Sequence, residues 1–143
     1  SQKYFGCTDV VISNCEIFDN RRNNISLTDA DRITITDCVL YDAHGTAPQC
    51  CVYIEPNSDS SDKVCEHVLI KDTIMTAYQN KDDSEYMVFM THYNPYDLTY
   101  VTASDVRFIG CELNGFFGNY SGLGVTFDDT SLNGTVVNLK KGQ

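Results

Sequence analysis

Ala30-Asp31-Arg32-Ile33-Thr34-Ile35-Thr36-Asp37-Cys38-Val39-Leu40 is one copy of an eleven-residue pattern that this chain writes four times, with copies beginning at Cys7, Ala30, Cys65 and Ala103. The fourth residue of each copy is Val10, Ile33, Val68 or Val106, and the sixth is Ile12, Ile35, Ile70 or Phe108. The ninth is Cys15, Cys38, Thr73 or Cys111, and the eleventh is Ile17, Leu40, Met75 or Leu113. Small or apolar residues recurring in aligned columns, with polar residues between them, put the four segments at equivalent places of a repeating structure. The starts lie 23, 35 and 38 residues apart, so the unit keeps its strand while its connections vary. That is solenoid behaviour, in which each unit buries its apolar edge against its neighbours and insertions go to loops.

A second series alternates with the first. Asn24-Ile25-Ser26-Leu27-Thr28, Cys51-Val52-Tyr53-Ile54-Glu55, Met87-Val88-Phe89-Met90-Thr91 and Gly124-Val125-Thr126-Phe127-Asp128 each place apolar residues two apart. Period two with β-branched and aromatic residues is the strand signal, whereas helical spacing is hard to find. The expectation is a coil that adds about one rung per repeat, like strands stacking in parallel about 4.8 Å apart through right-handed crossovers.

The phrases Asn24-Ile25-Ser26-Leu27-Thr28-Asp29-Ala30-Asp31-Arg32-Ile33-Thr34-Ile35-Thr36-Asp37-Cys38 and Gly45-Thr46-Ala47-Pro48-Gln49-Cys50-Cys51-Val52-Tyr53-Ile54-Glu55-Pro56-Asn57 are similar to rungs of the right-handed parallel β-helix superfamily, the pectate-lyase-like proteins. The resemblance runs from Cys7 to the neighbourhood of Leu139. It implies an all-β right-handed parallel β-helix of about four to five rungs, one domain over residues 1–143, and a fragment of a longer helix. The superfamily includes polysaccharide lyases, glycoside hydrolases, epimerases and phage tailspikes, so the resemblance is specific for fold and broad for chemistry.

Composition narrows the partners. With 20 Asp and Glu against 10 Lys and Arg the formal net charge is -10, which repels nucleic-acid phosphates and anionic membranes. No apolar run approaches the roughly 20 residues of a membrane span. The seven cysteines fall mostly in repeat columns whose other members are Ala or Thr, so a ladder of buried thiols is expected, with neither disulfides nor a zinc site. Of the adjacent pair Cys50 and Cys51, one at most points inward.

Function is then expected from what the coils display outward. If equivalent positions stack, Ser26, Tyr53, Phe89 and Thr126, followed by Thr28, Glu55, Thr91 and Asp128, form one patch with two aromatic rings at its middle. Ring faces can cover the apolar face of a sugar while carboxylates accept its hydroxyl hydrogens; the other reading is that a loop covers Tyr53 and Phe89 as a satellite core. Glu55 and Asp128 are the candidate acid and base. Two rungs apart they stand about 9.6 Å from each other, near the top of the roughly 6.5–9.5 Å of an inverting glycosidase. Their competing role is to tie down the turn after a strand.

His92-Tyr93-Asn94-Pro95-Tyr96-Asp97-Leu98-Thr99-Tyr100 is an aromatic insertion directly after the third strand of that patch. His92 is the candidate proton-transfer group, and Tyr93 and Tyr96 either join the binding surface or fold back over Phe89. His44 and His67 are assigned no role. No cofactor is expected; calcium, a hard cation that takes several oxygen ligands, would go to the acidic loops at 57–63 or 80–85. Two function classes stand at this point: an extracellular or cell-surface module that binds or cleaves polysaccharide, and a structural or adhesive β-helix that acts through assembly with the rest of a parent chain or a second copy.

Overall fold

Each copy of the eleven-residue pattern folds as two strands with a corner between them, and a third strand closes the turn. In the computed structural model, which describes residues 6–55, 65–79, 86–94, 96 and 101–139, the first rung is β1 (Cys7–Ser13), β2 (Glu16–Phe18) and β3 (Asn23–Leu27). The second is β4 (Ala30–Thr36), β5 (Val39–Tyr41) and β6 (Cys50–Ile54), and the third β7 (Cys65–Lys71), β8 (Ile74–Thr76) and β9 (Met87–Thr91). The fourth is β10 (Ala103–Ile109), β11 (Glu112–Asn114) and β12 (Phe116–Asn119), and the fifth β13 (Gly122–Asp128), β14 (Ser131–Asn133) and β15 (Val136–Asn138). They stack into three five-stranded sheets, β1-β4-β7-β10-β13, β2-β5-β8-β11-β14 and β3-β6-β9-β12-β15. Every strand pairing among the described residues is parallel. The chain is therefore an all-β parallel β-helix of five rungs, as its repeats imply.

The columns of the pattern are the register of the coil. Val10, Ile33, Val68 and Val106 pair in sequence across the first sheet, and so do Ile12, Ile35, Ile70 and Phe108. Apart from Val10, which is exposed on the first rung, these side chains pack inward with Leu40, Met75 and Leu113 of the second sheet and Val52, Phe89 and Phe117 of the third. An aromatic stack runs through the lower rungs, with Phe89 and Phe117 rings 4.9 Å apart and Phe108 and Phe127 rings 5.3 Å apart.

The corner at the eighth position needs a left-handed residue. Asn14, Asp37, Asp72, Gly110 and Asp129 all have φ between 47° and 65° there, a region that Gly enters freely and that Asn and Asp tolerate because their short side chains bond locally. The ninth position caps the corner. Cys15, Cys38, Thr73, Cys111 and Thr130 each donate their thiol or hydroxyl to the carbonyl two residues earlier, at 2.9–3.5 Å. That shared donor explains why Cys and Thr interchange in one column. All seven cysteines are free thiols, and Cys38, Cys50, Cys51, Cys65 and Cys111 are buried, whereas Cys7 is exposed and Cys15 half-buried on the first rung. Burial pushes the Cys51 and Cys65 thiols up to about 12, so neither is a nucleophile at neutral pH. Of the adjacent pair, Cys51 alone joins the core, yet Cys50 is fully buried too, because β6 is covered on both sides.

Two expectations about the strands are corrected. The stretch from Gly124 to Asp128 does not belong to the second series; it is the outer part of β13, a fifth copy of the pattern starting at Gly122, whose Val125 and Phe127 pair with Val106 and Phe108. The true fourth member of the other series is β12. Alternation alone could not separate the two, since any half-buried strand has period two. Within the third sheet, Phe89 pairs with Val52 and Tyr53 pairs with Met90, one residue away from the alignment that set Tyr53 beside Phe89. A shift of one residue exchanges the faces of a strand, so Phe89 is core.

Candidate functional site: a charged groove on the first sheet

The third position of every copy is skipped in the strand pairing of the first sheet, where Thr8 pairs with Asp31 and Val10 with Ile33, and so on down the coil. Its occupants are Asp9, Arg32, His67, Asp105 and Gly124, all with φ between 55° and 68°. Only Gly takes this conformation without cost, and non-glycine residues held there concentrate at functional sites. Four charged or titratable side chains are thus set in a row along the outer face of the sheet.

The row is tied together from rung to rung. Arg32 donates Nε to Asp9 Oδ1 at 2.7 Å and Nη2 to Asp9 Oδ2 at 2.9 Å, and Nη1 to Asp31 Oδ2 at 2.5 Å. The other oxygen of Asp31 meets His67 Nδ1 at 2.7 Å, and His67 Nε2 lies 3.9 Å from Asp105 Oδ2. Asp105 accepts from Arg107 Nε at 3.0 Å and Nη2 at 3.3 Å. Asp31 is the anchor, 7% exposed, whereas the His67 and Arg32 side chains are more than half exposed. The hydrogen bond from Arg32 holds the Asp9 carboxyl below its usual range, and the one from Arg107 does the same for Asp105. His67 is raised, first by its hydrogen bond to Asp31 and then, against some desolvation, by the charges of Asp31 and Asp105.

Alongside runs a groove of about 330 Å³ lined by Asp9, Arg32, His67, Asp105 and Arg107 and by Val11, Thr34 and Leu69, which occupy the fifth position of successive copies and face outward. The volume lies within the range of small-ligand sites, roughly 300–1,000 Å³. Polar groups above an apolar strip, presented by a rigid sheet, can orient a ligand that has both hydroxyls and a hydrophobic face.

The residues singled out from sequence do not come together as one site. Phe89 is fully buried against Phe108 and Phe117. Thr91 is fully buried as well; its hydroxyl contacts Asn119 Oδ1 at 3.0 Å and accepts from the backbone N–H groups of Tyr120 and Ser121, which makes it a clamp for the turn after β12. Tyr53 is only 5% exposed and so offers no ring face to a sugar. Its hydroxyl meets His92 Nδ1 at 3.2 Å, and burial, followed by the charge of Glu55, pushes it up to about 12. Glu55 follows β6 and reaches Arg22 at 3.8 Å.

Asp128 and Thr126 lie on the first sheet, beside Ile109 and Arg107, so the pairing of Glu55 with Asp128 as acid and base across a cleft is lost. Thr126 does share the groove face with Arg107. Tyr93 is exposed with its ring 5.3 Å from Tyr120, and Tyr96 is 97% exposed; neither covers Phe89. The acidic stretches at 57–63 and 80–85, expected to be where calcium would go, lie outside the described residues, as does Tyr100.

Asp9, Arg32, His67, Asp105 and Arg107 escaped the sequence reading although the pattern contained them. Continuing the same alignment to its third column reads Asp, Arg, His, Asp, a run of charged residues directly before the apolar fourth column. The fold and the groove define the class: a parallel β-helix that presents a charged groove on the outer face of one sheet. No family model and no solved structure matches the chain. It is similar to the uncharacterized protein YclG of Bacillus subtilis (strain 168), at 40% identity over a 58-residue alignment that covers 38% of this chain and 10% of that protein. The chain thus spans about a tenth of the length of the curated relative it matches.

Proposed function

We propose that this β-helix is a polysaccharide-binding module of the cell exterior or cell surface, and that the groove over the first sheet is its binding face. The observation that carries the reading is the row Asp9, Arg32, His67, Asp105, set by the unpaired third position, beside the apolar strip of Val11 and Leu69. A polymer lying along the coil would meet carboxylate oxygens that accept from its hydroxyls on some rungs and guanidinium or imidazole N–H groups that donate to them on others. Binding is favoured over cleavage, because the two-carboxylate argument for hydrolysis falls with the separation of Glu55 from Asp128.

The test is retention on a panel of immobilised polysaccharides. Wild-type protein is expected to bind at least one, and Leu69→Glu, which puts a charge into the apolar strip, to weaken that binding about tenfold, as loss of roughly 1.4 kcal/mol does. If no polysaccharide retains the folded protein, the reading is abandoned.

A second reading has its own observation. On the outer face of the second sheet Phe18 stacks on Tyr41 at 5.0 Å, and Val39 and Ile74, neighbours in register, are exposed beside them. Such an apolar row supports assembly through this face. Sedimentation would reveal it as an oligomer that Ile74→Lys disperses.

A further inference from the structure

Arg32 and Arg107 are the two guanidiniums of the groove, and each is already matched by a carboxylate in the two-bond geometry that Arg uses for anionic ligands. Arg32 gives a third N–H to Asp31. Resting on the reading that the groove takes a polysaccharide, we propose that Asp9 and Asp105 set its specificity: by occupying Arg32 and Arg107 they close it to polyanionic chains and leave it to uncharged ones.

A uronate or sulfate group arriving from solution has to displace a carboxylate that is tethered to the same sheet and therefore present at high effective concentration. The displaced carboxylate stays in the groove beside the newcomer, so a favourable contact is exchanged for a like-charge one. Asp9 and Asp105 match the two guanidiniums one for one, and the formal charge of the whole chain, -10, adds a repulsive field at low salt. An uncharged chain meets no such opposition. Carboxylate oxygens retain lone pairs for its hydroxyls, and the guanidinium N–H groups not bonded to acids can donate to them. Asp9 and Asp105 are partly exposed, so removing their charge leaves the core untouched.

The experiment compares retention of the whole chain on immobilised polygalacturonate and on an uncharged β-glucan, for wild type, Asp9→Asn/Asp105→Asn, and the same double variant carrying Arg32→Ala and Arg107→Ala. Wild type is expected to pass through polygalacturonate at low salt. The double variant is expected to gain at least tenfold in retention there, falling as salt rises, and the added arginine substitutions to abolish the gain. Circular dichroism confirms that each variant is folded, and if the double variant is not, Asp105→Asn alone is read in the same way.

Retention of wild type on polygalacturonate overturns the proposal, and so does a folded double variant that gains nothing. Should wild type bind no uncharged polysaccharide while the double variant acquires the polyanion, the polysaccharide reading falls and the masking of the arginines stands.

Discussion

At His67 the backbone takes the left-handed conformation at φ 55° and holds the ring between Asp31 and Asp105, acids from the rungs on either side. Folding raises the proton affinity of this imidazole, chiefly through the bond to Asp31. The protonated form is therefore favoured by the fold. Its contribution to stability is complete below the unfolded value of about 6.5 and is lost as pH rises through the higher folded value. His67→Gln is expected to lower the melting temperature at about pH 5.5 and to differ little from wild type at about pH 9. A ring proton titration of His67 by NMR at or below about 6.5, or a melting difference that does not change with pH, would contradict this. Asp9 and Asp105 act with the opposite sign: their lowered values add stability above the unfolded carboxyl range, and it is lost as acid titrates them. The row is thus most cohesive in mildly acidic solution, where carboxylates are ionised and His67 is charged.

On the scale of the strand, one residue of register separates a ligand platform from a core. Met87–Thr91 reads equally well with Phe89 facing out or in. The structure turns it in because Phe89 then stacks on Phe117 and meets Phe108 edge-on at 5.1 Å, surrounded on all sides. Phe89→Ala is accordingly expected to cost about 3–5 kcal/mol in urea unfolding, whereas Tyr96→Ala, on a side chain 97% exposed, should stay within about 0.5 kcal/mol. Equal effects of the two substitutions would place the register as wrong. The corner capped by a thiol or hydroxyl is the other device at this scale. It depends on a donor one atom beyond Cβ, which Cys38, Thr73 and Cys111 all possess and Ala lacks.

Across the whole molecule, stability is distributed as in a stack in which each rung is held by the rungs beside it. Inward positions such as Ile35, Ile70 and Phe108 are fully buried in the middle rungs, whereas Ile12 on the first and Phe127 on the fifth are only partly buried. Native-state hydrogen exchange is expected to protect β4, β7 and β10 most strongly and β1, β13, β14 and β15 least; uniform protection along the coil would argue against a stack held by nearest-neighbour contacts. The coil itself was legible in the amino-acid order, because an inward column must be small or apolar at every rung, and Val10, Ile33, Val68 and Val106 satisfy that requirement without any knowledge of what lies around them. Which outward residues share a face was not legible. That depends on the corner between strands, on a fifth copy hidden by Gly122 and Thr130, and on a single residue of register at Phe89. Each of these is decided by close packing between rungs rather than by local preference. The row of Asp9, Arg32, His67 and Asp105 lies between the two cases: its residues recur in one column of the chain, but only stacking brings side chains more than twenty positions apart to within a hydrogen bond of one another.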